Sequence, residues 1–378
     1  MKILFVSMHS IHAVRWIQNL SETEHELYWF DILNQGELKE LSNINQIINW
    51  AKRKIPPIKG EYFLSKKAPE LYLKIQSYLE VTANEKLEKI IKEIKPDVVH
   101  SFEMNGCSFP ILKTMQKYPE LKWVYSCWGS DLFYFQNFRK FQKRISKALE
   151  RIDFLHTDCK RDYDIAVKLG FKGKHVGVIP GGGGYNMIKY ESFIKPYRNR
   201  KIILVKGYQH VFGRALKVIE ALQNIEDELH EFEIVVFGAH KEVLEYVEEN
   251  NLPFLVHLKE TISHTMIMQL MGKSAIYIGN SVSDGMPNTL LEAMFMGAFP
   301  IQSNPGGVTE EIIEDFKNGV LIEKPEDINS IKEIILKVVK AVQMQENAFT
   351  QNQLLAKEYL DYHLNQQKIS RIYDELIK

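Results

Sequence analysis

The feature that most constrains this 378-residue chain is the regular return of short apolar runs along its whole length. In the first half, Lys2–Ser7, Glu26–Ile32, Asp97–Phe102, Lys122–Trp128, Phe154–Thr157 and His175–Pro180 read as strands. The second half repeats the rhythm at Lys201–Lys206, Glu233–Gly238, Phe254–His257, Ala275–Asn280, Phe299–Ser303 and Gly319–Ile322. Helical patterns fall between them, at Leu87–Ile94, Phe138–Leu149, Arg214–Leu222, Glu242–Glu249, Thr265–Met271 and Thr289–Met296. Apolar strands alternating with helices predict parallel sheets covered on both faces. Because the chain exceeds one ordinary core, the expected α/β architecture is two Rossmann-like domains whose parallel sheets face each other across a cleft.

The joint between them is predicted at the glycine run Gly181-Gly-Gly-Gly-Tyr185 and the polar stretch Lys189–Arg200. No Lys-Ser/Thr follows the glycines, so they read as an interdomain turn and not as a P-loop. The expected domains are 1–188 and 189–353, followed by a C-terminal helical segment, 354–378. Leu355, Tyr359, Ile369, Ile372, Tyr373 and Leu376 share helical spacing, which predicts one amphipathic helix over Leu354–Ile377.

Hydrophobic content of 45% with 25% charged residues is that of a soluble globular protein. Cys107, Cys127 and Cys159 are scattered and odd in number, which predicts reduced thiols and a cytoplasmic location. No apolar run approaches the ~20 residues of a spanning helix, and Met1–Ser7 is too short an apolar run for a signal peptide. Net charge is zero but unevenly spread. Residues 1–190 hold 29 Lys and Arg against 21 Asp and Glu, and residues 191–378 hold 19 against 27. The basic half clusters its charge at Lys52-Arg-Lys54, Lys66-Lys67 and Arg139–Arg144. Trp50, Ile55, Tyr62 and Phe63 lie among the first two of these. That mixture suits the inner face of a plasma membrane as a peripheral contact, with solvated helix faces as the plain alternative. Zero net charge and the lack of a recognition motif argue against nucleic acid as a partner.

The most informative segment for chemistry is Ser283-Asp-Gly-Met-Pro-Asn-Thr-Leu-Leu-Glu-Ala-Met294. A strand leads into the turn and an apolar helix, starting near Asn288, leads out. Such a turn aims the first N–H groups of a helix at an anionic or hydroxyl-rich ligand. Two carboxylates, Asp284 and Glu292, flank it, and Asn304-Pro-Gly-Gly-Val-Thr-Glu310 and Lys317-Asn-Gly-Val-Leu321 follow. A single acid there would be explained as a dipole-stabilising group. The whole module would not.

These residues resemble the Glu-x7-Glu region of retaining glycosyltransferases of family 4 (glycosyl transferases group 1), which have the GT-B fold. The resemblance implies a hexosyltransferase that moves a sugar from a nucleotide diphosphate sugar to a hydroxyl of a glycan or lipid-linked acceptor. It implies retention of configuration and no metal or other cofactor. The Lys-, Ile- and Asn-rich composition adds an expectation of bacterial polysaccharide, lipopolysaccharide or glycolipid assembly. In the family's favoured mechanism the acceptor attacks from the leaving-group face, so the two acids are not a glycosidase pair.

Carried over residue by residue, the resemblance assigns the donor's ribose hydroxyls to Glu292. It assigns the donor sugar to Asp284 with Gly285, Met286, Pro287, Asn288 and Thr289. Asp284 stands where the family has glutamate. The family's paired Arg and Lys for the diphosphate would align with Tyr208 and Gly213, so Lys206 and Arg214, one or two positions away, are the expected replacements. Cys127-Trp-Gly-Ser-Asp131 matches the family's His-Gly-x-Asp region with Trp128 in place of histidine. Trp128 is then expected to stack on a sugar, and Asp131, with Asp284, to act at the reacting centre. The polar loop holding His9, His12 and Arg15, and Glu103 at the end of another strand, are expected to meet the acceptor.

Two other readings fit the same architecture: a non-catalytic GT-B subunit of a membrane-associated assembly, and a nucleotide-sugar 2-epimerase. Asp162-Tyr-Asp164 looks like an Asp-x-Asp metal motif but lies in a helical pattern, so an acidic first turn is the better reading. The twelve histidines show no zinc spacing.

Overall fold

The computed structural model describes residues 1–180 and 182–377. Gly181, the first glycine of the expected joint, lies outside them with Lys378. The chain forms two compact units: Met1–Thr157 with Asp162–Val178 and Gln366–Lys378, and Asp158–Arg161 with Ile179–Asn365.

Unit 1 holds seven strands: β1 (Lys2–Ser7), β2 (Glu26–Asp31), β3 (Asn45–Ile47), β4 (Val98–Phe102), β5 (Lys122–Cys127), β6 (Phe154–Thr157) and β7 (Lys174–Val178). Their order is β3-β2-β1-β4-β5-β6-β7, and every neighbouring pair is parallel. Unit 2 holds β8 (Ile202–Lys206), β9 (Glu233–Ala239), β10 (Leu255–Leu258), β11 (Ser274–Gly279), β12 (Phe299–Ser303) and β13 (Val320–Ile322). The order β10-β9-β8-β11-β12-β13 is again wholly parallel. Both sheets therefore reverse direction of travel once, between β1 and β4 in unit 1 and between β8 and β11 in unit 2. In open parallel sheets that reversal opens the crevice where ligands bind.

Side chains alternate across the strands, and both faces are buried. In unit 2, Ile203, Val205, Ile276 and Ile278 belong to one cluster, while Leu204 and Tyr277 belong to the cluster on the other face. Burying such a side chain is worth about 1.5–3 kcal/mol, which is why these runs contain little polar sequence. The helix Ala83–Ile94 starts at a capping box in which the Thr82 hydroxyl accepts from Glu85 N–H and the Glu85 carboxylate accepts from Thr82 N–H. β3 has no counterpart in the sequence reading. It is a three-residue Asn-Gln-Ile edge strand, not buried, and only its ladder to β2 makes it a strand.

The expected single C-terminal helix is two helices, Val342–Leu360 and Tyr362–Ile377, broken at Asp361, whose backbone is extended. Asn365 Nδ2 donates to the Tyr359 and Asp361 carbonyls, and Tyr185 N–H donates to that of Leu360. These bonds satisfy carbonyls that the break releases. A Cβ on Gly184, which has φ 72°, would lie 2.6 Å from the Leu360 oxygen, so the chain passes there as glycine. The helical stripe serves two cores. Leu355 and Tyr359 pack in unit 2, whereas Tyr373 is buried in unit 1 with its hydroxyl accepting from Trp16 Nε1 and bonded to His100 Nδ1. Burial, reinforced by His156, pushes His100 well below its ordinary range, so this inner ring is neutral.

All three cysteines are buried and none forms a disulfide. Among the described residues, no helix is long and apolar enough to cross a membrane.

Candidate functional site

In unit 2 the chain leaves β11 through Asn280 and turns at Asp284 into the helix Asn288–Phe295. Pro287 sits at the helix cap with extended backbone and offers no side-chain hydrogen bond to the first turn. A helix start at a sheet's switch point directs the positive end of its dipole outward. Arg161 holds the turn from behind: its guanidinium donates to the Asp284 carbonyl at 2.7 Å and to the Pro305 carbonyl. The Asp284 carboxylate is half-buried. Met286 is buried in the apolar cluster, so only its backbone is available to a ligand. The Thr289 hydroxyl accepts from Tyr277 OH at 3.0 Å.

Glu292 lies one turn further on and is buried. Its Oε1 accepts from Tyr185 OH at 2.5 Å and is bonded to His264 Nε2 at 2.8 Å. His264 Nδ1 in turn meets Tyr190 OH at 3.1 Å. A buried carboxylate needs such partners to remain in place, and these fix its orientation.

The loop after β8 separates the two expected phosphate cations. Arg214 is committed elsewhere: its Nε pairs with Glu326, and its Nη1 donates to the carbonyls of His210, Val211 and Gly213. The guanidinium thus closes its own loop. Lys206 instead carries its ammonium 4.6 Å from the centre of the Tyr208 ring, a cation–π distance. A side chain at Gly213 is closed sterically, because a Cβ there would lie 2.2 Å from the Tyr208 carbonyl oxygen. Tyr208 stacks on His240 with rings 5.7 Å apart and 9° from parallel, and His210 lies 5.4 Å from His240.

In unit 1 the corresponding crevice lies beyond β1 and β4. Glu103 has φ 63°, an unusual conformation for a residue with a side chain, and a π-helical turn over Met104–Ser108 follows it. Both features concentrate at functional sites. Its carboxylate accepts from the N–H groups of Asn105 and Gly106. Asp131 is buried and saturated: Oδ1 accepts from Trp128 N–H and Cys127 Sγ, and Oδ2 from Met104 N–H and Tyr125 OH. It therefore ties the turn after β5 to the turn after β4, a positioning task, and leaves Glu103 as the more exposed acid. Burial, together with the Asp131 charge, pushes Glu103 up to about 7. Burial also raises Asp131, and the repulsion between the two carboxylates favours a protonated Glu103.

His12 and Phe102 flank the half-buried Trp128, with ring centroids 5.6 and 6.0 Å away. His9 turns toward β2, where Nε2 meets the Gly36 carbonyl at 3.1 Å and the ring lies 5.6 Å from Trp29. Arg15 is half-buried within the helix Ile11–Gln18. Of the expected acceptor group, His12, Trp128 and Glu103 gather at the crevice, whereas His9 anchors the neighbouring loop.

A family model described as glycosyl transferases group 1 matches residues 194–353, and one described as glycosyl transferase 4-like matches residues 2–159. The chain belongs to the group 1 glycosyltransferases of family 4 type. Solved structures similar to this glycosyltransferase include HepE from Anabaena in complex with UDP and glucose, 16% identical, with TM-score 0.69 over 99% of each chain. Sucrose-phosphate synthase from Thermosynechococcus elongatus is 14% identical, with TM-score 0.71 over 100% of this chain and 99% of that one. The apo form of the lipopolysaccharide outer core galactosyltransferase WaaB is 14% identical, with TM-score 0.64 over 99% of each chain. These likenesses show the GT-B fold. A search of curated proteins found no match.

Several residues around the glycosyltransferase's acidic turn were not legible in sequence. Tyr185 and His264 reach Glu292 from 107 and 28 positions away, and Arg161 reaches Asp284 from 123. No spacing rule connects such pairs. Asp162 and Asp164 lie on the helix Lys160–Lys168, in agreement with an acidic first turn. The Glu311 carboxylate accepts from the first N–H groups of that helix, Lys160 and Arg161.

Proposed function

We propose that this glycosyltransferase transfers a sugar, with retention and without a metal, from a nucleotide diphosphate sugar to a hydroxyl of a glycan or lipid-linked acceptor. The observation that carries the reading is the helix that starts at Asn288 just beyond β11, flanked by the half-buried Asp284 and the buried, oriented Glu292 at the switch point of unit 2. N–H groups there suit hydroxyl and phosphate oxygens. Glu292 is assigned the ribose, Asp284 and the backbone of Gly285–Asn288 the sugar, and Lys206 the diphosphate. HepE, a structure of the same fold, was solved with UDP-glucose, which supports a nucleotide sugar as donor. In transfer, the acceptor oxygen bonds to the anomeric carbon as the bond to the phosphate oxygen breaks, and the departing diphosphate takes the hydroxyl proton. Glu103, His12, Arg15 and Trp128 are assigned to the acceptor, with Asp131 and His9 holding their loops.

The test is thermal-shift screening against uridine, guanosine and adenosine diphosphate sugars, followed by NMR of the product. A ligand that binds only the folded chain raises its melting temperature. At least one nucleotide sugar is expected to do so and to yield a product with the donor's anomeric configuration in the presence of chelator. An inverted product would overturn retention, and no shift with any nucleotide would overturn the donor reading.

The assigned acceptor includes lipid because of a surface in unit 1. The helices Glu61–Lys67 and Pro69–Leu79 expose Tyr62 (77%), Phe63 (67%) and Tyr78 (75%), with Ile55 and Ile58 exposed just before them. Lys52, Lys59, Lys66, Lys67 and Lys74 are exposed in the same stretch. Aromatic rings with lysines fit an anionic bilayer surface. Co-sedimentation with vesicles containing phosphatidylglycerol is expected, but not with phosphatidylcholine alone, and Tyr62→Ser with Phe63→Ser should abolish it. Equal binding to both vesicles would remove the electrostatic part of this reading.

A further inference from the structure

Of the two expected phosphate cations, Arg214 is tied up within its own loop, and Lys206 rests on the ring of Tyr208. The groups packed around Tyr208 supply a candidate. His240 lies flat against the Tyr208 ring, His210 lies 5.9 Å from the same ring and 5.4 Å from His240, and Lys206 sits over Tyr208. All four residues come from the ends of β8 and β9 and the loops beyond them, beside the switch point of unit 2.

We propose that His240, with His210 beside it, forms a proton-dependent anion site for the donor's diphosphate, so that nucleotide-sugar binding weakens as the pH rises from 6 to 8. This rests on the donor-site reading given above.

The two rings are set in different tautomers by their backbone bonds. His240 Nδ1 faces the Gln209 carbonyl at 2.5 Å and must donate to it. Its Nε2 is therefore a lone pair in the neutral ring and becomes a donor only when the ring is protonated. His210 Nδ1 accepts from Phe212 N–H at 3.2 Å, which places the proton of the neutral ring on Nε2. In the neutral rings, then, His210 offers a donor at Nε2, whereas His240 offers one there only as an imidazolium. Protonating His210 would break its bond to Phe212, in keeping with its downward shift from burial and from the His240 and Lys206 charges.

Around His210 the charged neighbours are mixed: His240, Lys206 on β8 and Lys259 beyond β10 disfavour an imidazolium there, while Asp284 beyond β11 favours one. Glu260 and Glu292 act on Tyr208 from the loop beyond β10 and from the helix Asn288–Phe295. An anion bound at hydrogen-bond distance stabilises an imidazolium beside it.

The experiment is calorimetry of the full chain with UDP-glucose, GDP-mannose and ADP-glucose at pH 6, 7 and 8, in two buffers of different ionisation enthalpy. The diphosphate of a nucleotide sugar is esterified at both ends and has no proton to lose in this range, so any slope belongs to the protein. Affinity is expected to fall about tenfold from pH 6 to pH 8, with uptake of roughly one proton on binding. His240→Gln should flatten the profile at the weaker affinity, whereas Lys206→Ala should weaken binding at every pH and keep the slope. Proton counting on the unaltered chain reads the same property without relying on a variant. Binding without a pH slope, or a slope that survives His240→Gln, overturns the histidine site alone. Failure of all three donors to bind at any pH overturns the donor reading and this inference with it.

Discussion

Replacing Lys206 by alanine is expected to slow sugar transfer by about 10²–10³-fold, or about 2.7–4 kcal/mol of transition-state stabilisation. Negative charge grows on the departing diphosphate as the glycosidic bond breaks, and a fixed ammonium there lowers the barrier without reorganising. Lys206 is the cation with the right freedom, since its ammonium rests against Tyr208 and the described residues offer it no carboxylate partner. Arg214→Ala is the informative contrast: its guanidinium is spent on Glu326 and three loop carbonyls, so its loss should loosen the loop and lower stability more than the rate of the chemical step. Single-turnover rates at saturating donor, with melting temperatures alongside, separate the two effects. A rate within a few-fold of wild type for Lys206→Ala would exclude it as the phosphate group.

Glu292→Gln is expected to reduce donor affinity by roughly 10- to 100-fold, because hydrogen bonds to a charged partner are worth about 1.5–3 kcal/mol each. Glutamine is the appropriate replacement. It keeps an oxygen for Tyr185 OH and His264 Nε2, whereas alanine would strand both and add about 1–3 kcal/mol of lost stability. Titration calorimetry with a nucleotide sugar checks the prediction. Unchanged affinity with an unchanged melting temperature would show that the carboxylate charge does not meet the donor.

Much of the architecture was legible because its causes are local. An apolar run such as Ala275–Asn280 is a strand wherever it is buried on both faces, and Gly285-Met-Pro-Asn288 is a turn into a helix by its own backbone preferences. The misses have physical reasons. β3 is polar and exists only through its ladder to β2. The C-terminal stripe keeps helical spacing through Asp361, so periodicity could not show the break that Asn365 and Tyr185 stabilise. Asp131 looked like an open acid beside Trp128, and its four donors appear only when β4 and β5 are neighbours.

By itself, then, the sequence determined two parallel α/β sheets and an acidic turn at the end of a strand, since hydrophobic period and turn chemistry act over a few residues. Only the tertiary structure decided which charges that turn can use. Arg214 is withdrawn by Glu326, 112 positions away, and Arg161 grips Asp284 from 123 positions away. Likewise, Tyr208 gathers Lys206, His210 and His240 from two strand ends. A side chain's charge is written in the sequence, but its partner is chosen by whichever distant group the packing brings within about 3 Å.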